Sequence, residues 1–402
     1  MKSTPLSVFF VALMVVGAAC ASHSGGSTAT GGASGSGGTS SAGGSTSSGG
    51  SGGDNGTGGM QNTGGAPGEG GKRGTGGAEG TGGASAGDAG RDVPAKDDAP
   101  PADTAARKDV QGSTSDGGRV ETQGSEVIRA RQIKTRGLTF DVLETVPAGE
   151  PVLLLHGFPD TSLEWTGLMP VLSANGYHCL APDQRGYSPG ARPTEVDAYR
   201  YEELVADAFA IGSELGERFH VIGHDWGANV GWLMLQKDPS RIASFTAISI
   251  PHYQVWSRSV YDDPAMAGYL SMLNTWMTEG TGEAYWTAEQ MRRMWTAKPV
   301  DQREATIAHM TEPGAMTAAL NWYRASRGHK RVIEEFDVWE VNVPTLLIHG
   351  SKDLGERSLI DTAPLMTGPY RVVRPTGAHF IVDEQPKVVA DETLAHLRAY
   401  PL

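Results

Sequence analysis

The strongest constraint on this chain is an abrupt change in its composition. From Val11 to Thr139 there is no Phe, Tyr or Trp, and from Ser3 to Gly53 there is no Asp, Glu, Lys or Arg. A segment without aromatics and with few large aliphatics cannot bury enough surface to offset the entropy of ordering its backbone. All nine Trp and all eleven Tyr lie beyond that stretch. The folded part is therefore expected over residues 127–402, one domain of ordinary size with room for an insertion.

The leading segment divides further. Lys2 precedes an apolar run, Leu6–Ala19, that is short for a bilayer span and ends in small residues. This is the pattern of a signal peptide over residues 1–19. VVGAAC resembles a bacterial lipoprotein signal with Cys20 as the lipidated residue, although Gly17 stands where Leu is commonest. Cleavage by an ordinary signal peptidase near Ala19–Ala21 is the alternative. Residues 20–126 are Gly/Ser/Thr-rich and then Ala/Asp/Pro-rich, a linker composition. About 100 flexible residues would span roughly 55 Å. The expectation is an exported protein on a disordered tether, with no chemistry in the leader.

Net charge is −13 and the isoelectric point is near 5.3, which argues against nucleic-acid binding and against electrostatic attachment to an anionic membrane. Membrane association is expected only through the N-terminal lipid. Of the two cysteines, Cys179 lies in the apolar run Tyr177–Ala181 and reads as a buried strand residue. No zinc-type cysteine spacing exists, and neither metal nor cofactor is expected.

Within 127–402 the pattern alternates. Ile133–Leu143 reads as a hairpin around a central Arg-Gly. VLLLHG (152–157), HCLAPD (178–183), FHVIGH (219–224), FTAISI (245–250), TLLIHG (345–350) and YRVVRP (370–375) are short apolar runs of the kind buried strands make. Helical spacing is expected near Ser162–Ala174, over Tyr201–Leu215 and in a closing helix over Ala390–Tyr400. Such alternation implies an α/β fold with a mostly parallel sheet and helices on both faces. A Trp-, Tyr- and Met-rich stretch at about 253–340 interrupts it and reads as a helical cap inserted between two strands.

The chemistry centres on VIGHDWGANVGW, residues 221–232. An apolar strand runs into Gly223-His224-Asp225-Trp226-Gly227 and then into a helical segment, which is the Gly-x-nucleophile-x-Gly elbow with Asp in the nucleophile position. With His156-Gly157-Phe158-Pro159 and Asp183-Gln184-Arg185-Gly186-Tyr187-Ser188, the domain resembles the epoxide hydrolase branch of the α/β-hydrolase family over nearly all of residues 132–402. The aspartate suits that chemistry. A carboxylate is ionised at neutral pH, so it can displace a leaving group at an sp³ carbon without a base and form an alkyl ester. Hydrolysis of the ester then needs a base and an oxyanion hole.

The resemblance implies an Asp-His-Asp triad. His379, in Thr376-Gly377-Ala378-His379-Phe380, matches the catalytic histidine, and Asp353 after TLLIHG matches its orienting acid, with Asp361 and Asp383 as bland alternatives. It also implies backbone oxyanion donors at Phe158 and Trp226, loop-bracing roles for His156 and His224, and a cis Phe158–Pro159 bond. Epoxide opening releases an alkoxide, for which the family supplies two cap tyrosines. Asn321-Trp322-Tyr323-Arg324 resembles its NWYR segment, so Tyr323 is one candidate. Tyr269 fits the first by its distance from the nucleophile, with Tyr261 and Tyr285 as competitors. The expected partner is a small-molecule epoxide. Haloalkane or haloacid dehalogenases share the Asp nucleophile. However, haloalkane dehalogenases favour Asn or Glu where Phe158 stands, and fluoroacetate-type enzymes favour Arg where Trp226 stands. A catalytically inactive surface binding lipoprotein is a further alternative, against which the intact triad argues.

Overall fold

Apolar runs without alternation belong to strands covered on both faces, and the structure builds its sheet from them. The computed structural model describes residues 127–402. The expected signal peptide, the tether over 20–126 and Cys20 lie outside the described residues. Strands β1 (Ile128–Thr135) and β2 (Leu138–Thr145) form the expected hairpin. Its two-residue turn takes positive φ at Arg136 (52°) and Gly137 (76°), which matches the twist of the flanking strands. Next come β3 (Glu150–Leu155), α1 (Met169–Ala174), β4 (Tyr177–Pro182), α2 (Tyr201–Gly212), β5 (Phe219–His224), α3 (Trp226–Lys237) and β6 (Ile242–Ile248).

A helical insert follows: α4 (Tyr253–Asp262), α5 (Ala267–Met277), α6 (Thr281–Tyr285), α7 (Ala288–Met294), α8 (Val300–Met310), α9 (Ala315–Ala325) and α10 (Lys330–Glu335). The chain returns to the sheet at β7 (Thr345–Ile348) and continues through α11 (Glu356–Thr362), β8 (Tyr370–Val373), α12 (Ile381–Glu384) and α13 (Pro386–Ala399). Among the described residues, eight strands form one sheet in the order β1-β2-β4-β3-β5-β6-β7-β8. The β1–β2 and β2–β4 pairs are antiparallel, and every pair from β4 to β8 is parallel.

Side-chain alternation along β3 divides the core. Leu153 and Leu155 join α2, α3 and the insert on one face, whereas Val152 and Leu154 join α1, α12 and α13 on the other. Cys179 is buried on the second face, where burial pushes its thiol up to about 12, as befits a packing residue.

Three boundaries differ from the sequence expectation. Residues 162–174 do not form one helix: Ser162–Gly167 is a 3₁₀ segment and α1 begins at Met169. Pro170 sits in its first turn, where a missing N–H costs nothing. The insert also ceases to be helical at Glu335, and Phe336–Glu340 has no regular structure. The closing helix starts at Pro386, ahead of its apolar positions, for the same first-turn reason as α1.

Candidate active site

Ligands of open parallel sheets bind beyond the carboxyl ends of the strands. Here β3, β5, β7 and β8 deliver Phe158, Asp225, Asp353 and His379 to that edge. Asp225 stands between β5 and α3 with φ 49° and ψ −116°, the strained backbone of an elbow. The flanking glycines are a steric requirement. A Cβ on Gly223 would lie 2.4 Å from the Gly227 carbonyl oxygen, and one on Gly227 would lie 1.9 Å from that of Leu155.

The Asp225 carboxylate is held from two sides. The Phe158 amide donates to Oδ1 at 2.8 Å, and His379 Nε2 lies 3.3 Å from Oδ2. His379 Nδ1 lies 3.1 Å from Asp353 Oδ2. The Trp226 amide is the first N–H of α3 and has no acceptor inside the helix. The Phe158–Pro159 bond is cis. The structure thus brings together Asp225, His379, Asp353 and the Phe158 and Trp226 backbone. Asp361 instead pairs with Arg357 at the surface, and Asp383 pairs with Lys298.

Burial alone would keep His379 neutral, but the Asp353 and Asp225 carboxylates outweigh it and hold the imidazole well above the ordinary histidine range. Burial likewise opposes ionisation of Asp225, and His379, His224 and the Phe158 amide outweigh it, so its carboxyl stays below the usual range. Asp353 is depressed in the same way, burial being outweighed chiefly by His379. The site is therefore poised with an anionic Asp225 facing a protonated imidazole.

His156 and His224 brace the loops. His156 Nε2 accepts from the Gln184 amide at 3.1 Å, and the Gln184 side chain donates to the His156 carbonyl at 2.7 Å. His224 Nε2 donates to the His379 carbonyl at 2.9 Å, and the Ser249 hydroxyl reaches the same oxygen at 2.7 Å. Sequence reasoning missed what stands behind these loops. Glu164 Oε1 lies 2.5 Å from His224 Nδ1, and Lys298 Nζ lies 2.8 Å from Asp160 and 3.4 Å from Asp383. Lys298, from the α7–α8 connection, thereby joins the insert to the loop after β3 and to α12. Burial, with the Asp160 and Glu164 charges, raises Asp383 to about 7 despite Lys298. Glu164 sits in a stretch read as helical and Lys298 in the insert, and only their burial betrays them.

The NWYR segment lies on α9, and its side chains divide by function. The Trp322 indole N–H donates to the Arg185 carbonyl at 2.8 Å, and Arg324 grips Glu283 of α6 through two bonds of 2.9 Å. Tyr323 is 2% exposed, with its ring 5.0 Å from Phe158 and 5.1 Å from Trp226. Burial and the Asp225 charge both push its phenol well above its ordinary value, and the same holds for Tyr269. Of the two competitors, Tyr261 donates to the Gly328 carbonyl at 2.5 Å and answers to Glu334 instead. Tyr285 accepts from Gln290 at 3.3 Å, and its upward shift comes from burial. The Asp225 charge acts on both Tyr323 and Tyr269. Among the described residues there is no cluster of His, Cys, Asp and Glu fit to hold a metal ion.

The chain and its fold are similar to known proteins. The family model for the alpha/beta hydrolase fold matches residues 150–386. The chain belongs to the α/β-hydrolase fold family. Within this family it is 30% identical over 316 residues to Epoxide hydrolase A of Mycobacterium tuberculosis, covering 68% of this chain and 98% of that one. It is 29% identical to the AB hydrolase superfamily protein YfhM of Bacillus subtilis, over 67% of this chain and 98% of the other. Among solved structures it is similar to Epoxide Hydrolase A from Mycobacterium thermoresistibile. That match has 25% identity and a TM-score of 0.57, over 68% of this chain and 99% of that one. In this α/β-hydrolase the family match runs from the start of β3 through the insert to the start of α13.

Proposed function

We propose that the chain is an epoxide hydrolase that converts an epoxide to a vicinal diol through an ester on Asp225. The observation that carries this reading is the Asp225 carboxylate at the elbow, held by the Phe158 amide and His379, with the buried Tyr323 ring packed on Phe158 and Trp226 and the half-buried Tyr269 on a second helix of the insert. Displacing a halide needs no proton donor, whereas opening an epoxide does. The epoxide hydrolase relatives support the same substrate class.

In this mechanism Asp225 attacks an epoxide carbon and the C–O bond breaks. The oxygen keeps the electron pair and takes a proton from a phenol of the helical insert, which acts as a cap. His379, oriented by Asp353, then activates a water that attacks the Asp225 carbonyl carbon. The Phe158 and Trp226 amides serve the oxyanion. Ester formation neutralises Asp225, which removes one of the two charges that held His379 protonated and frees it to act as a base.

The test is a single turnover in ¹⁸O-labelled water with styrene oxide as the probe. Label should enter Asp225 and reach the diol only in later turnovers, and His379→Gln should accumulate an ester visible by intact mass. Labelled diol at once, with no adduct in any variant, would show direct water attack and remove the nucleophilic role of Asp225. Halide release from haloalkanes or fluoroacetate without diol formation would move the reading to a dehalogenase.

Residues 1–19 fit an export signal and Cys20 a lipid anchor, which gives a membrane-tethered exported enzyme. In that case Cys20→Ala should shift the protein from the membrane fraction to the soluble fraction, and an unchanged distribution would dismiss the anchor.

A further inference from the structure

A buried row of hydrogen bonds stands behind the insert side of the site, and the mechanism above makes no use of it. Tyr269 Oη lies 3.1 Å from His329 Nε2, and His329 Nδ1 lies 2.9 Å from Tyr253 Oη. Tyr253 Oη lies 2.8 Å from Tyr201 Oη. His329 is 1% exposed and sits with φ 73° between α9 and α10, where its amide donates to the Ser326 hydroxyl at 3.3 Å. Its ring lies 5.2 Å from that of Trp226, the residue after the nucleophile.

A neutral imidazole offers one donor and one acceptor, so the row can run in one of two directions. Burial lowers His329 to about 4, so the ring is neutral where the enzyme works. If Nδ1 carries the proton, Tyr269 must donate its hydroxyl proton to Nε2 and has none for a substrate. If Nε2 carries it, the row runs the other way, starting at Tyr201, which also meets the Ser326 hydroxyl. Tyr201 donates to Tyr253, Tyr253 donates to Nδ1, and Nε2–H donates to the Tyr269 oxygen. The Tyr269 O–H is then left to point into the site.

We infer that His329 is a positioning residue for epoxide opening: its Nε2–H fixes the Tyr269 oxygen, directs the Tyr269 proton to the epoxide oxygen and stabilises the phenolate that remains. The inference rests on the epoxide reading. The step balances, because the epoxide oxygen gains the proton that Tyr269 loses. The proton released by His379 as Asp225 becomes a neutral ester restores the phenol. Hydrolysis then returns a proton from water to His379, and the acyl hydroxyl proton goes to the departing alcohol.

Two measurements on the full chain test it. In ¹⁵N-histidine spectra, the resonances lost in His329→Gln should report a neutral ring protonated on Nε2 near neutral pH. Protonation on Nδ1 reverses the row and overturns the inference. In single turnovers with styrene oxide, His329→Phe should slow ester formation about tenfold or more, the effect of losing a hydrogen bond to a developing charge. Ester hydrolysis should stay within about twofold, because His379 and Asp353 are untouched. His329→Gln, which can still donate to the Tyr269 oxygen, should recover much of the loss, and the effect should vanish in a Tyr269→Phe background. Equal slowing of both steps, or a loss that persists without the Tyr269 hydroxyl, would mark a packing role and overturn the inference. If the unaltered chain forms no ester with styrene oxide, the epoxide reading fails, while the spectra still decide the tautomer.

Discussion

The two halves of the site are held by different physics. On the sheet side, Asp225, Asp353 and His379 leave parallel strands within a few residues of their ends, and backbone groups fix them. The Phe158 amide reaches Asp225, and the His379 carbonyl receives bonds from His224 and Ser249. On the insert side, Tyr323 and Tyr269 stand on helices and are positioned by packing and side-chain bonds. The Tyr323 ring meets Phe158, Trp226 and Trp276 at 5.0–5.3 Å, and Tyr269 meets His329. Charge is concentrated in the first half and aromatic surface in the second. Lys298, Trp322, the Tyr201–Tyr253 bond and the Arg192–Glu312 pair are polar ties between sheet and insert. A rigid nucleophile facing a packed, separately anchored acid lets substrate scope vary in the insert without disturbing the ester chemistry.

The largest effect should come from the sheet side. Asp225→Ala should lower diol formation on the order of 10⁴-fold or more and leave no adduct, as expected for a residue acting as part of a unit. Appreciable turnover in that variant would mean that the sheet half does not carry the bond-making step.

The tie between the halves comes next. Lys298→Met leaves Asp160 and Asp383 buried without their cation, which should cost about 3–5 kcal/mol in urea unfolding. A cost below about 1 kcal/mol, the level of an exposed pair, would show that Lys298 is not what ties insert to sheet.

Within the insert, Tyr323→Phe should slow ester formation by roughly 10²-fold while hydrolysis of the ester proceeds as before. Adding Tyr269→Phe should nearly abolish epoxide opening. Equal slowing of both steps in stopped-flow traces would make the insert a packing element instead of a proton donor.

The smallest effect is a separation of the two steps by pH. In the free enzyme His379 lies well above its ordinary value despite burial, because Asp353 and Asp225 hold its charge. In the ester only Asp353 remains charged, so the ring titrates lower than in the free enzyme. Hydrolysis needs the neutral ring and should slow as pH falls through that lowered value. Ester formation needs ionised Asp225, whose value is depressed, and should persist to lower pH. Ester should therefore build up on the acid side of a scan over roughly pH 5 to 9, and build-up on the alkaline side would reverse the assignment.

The sheet half could be read from the chain because its signals are local. A parallel strand covered on both faces must be an apolar run, and a nucleophile elbow must carry Gly223 and Gly227 because any Cβ would strike backbone. The succession of strands along the chain and the existence of a helical insert follow from such local demands, and the proposed triad positions were legible through the resemblance to epoxide hydrolases. The proposed Tyr323 shares that legibility through NWYR, where three neighbouring side chains have separate structural tasks.

Tertiary structure alone decided the rest. Glu164 sits in a stretch read as helical and Lys298 and His329 in the helical insert, where no local signal marks them, and burial among partners remote in sequence gives them their meaning. Glu164 meets His224, Lys298 meets Asp160 and Asp383, and His329 meets Tyr253 and Tyr269. The contact of Tyr269 with His329 belongs to the same class. In the sequence Tyr269 is marked only by its distance along the chain from Asp225. The Asp225 charge acts on it through space, and Coulomb interactions depend on a distance that local sequence does not encode.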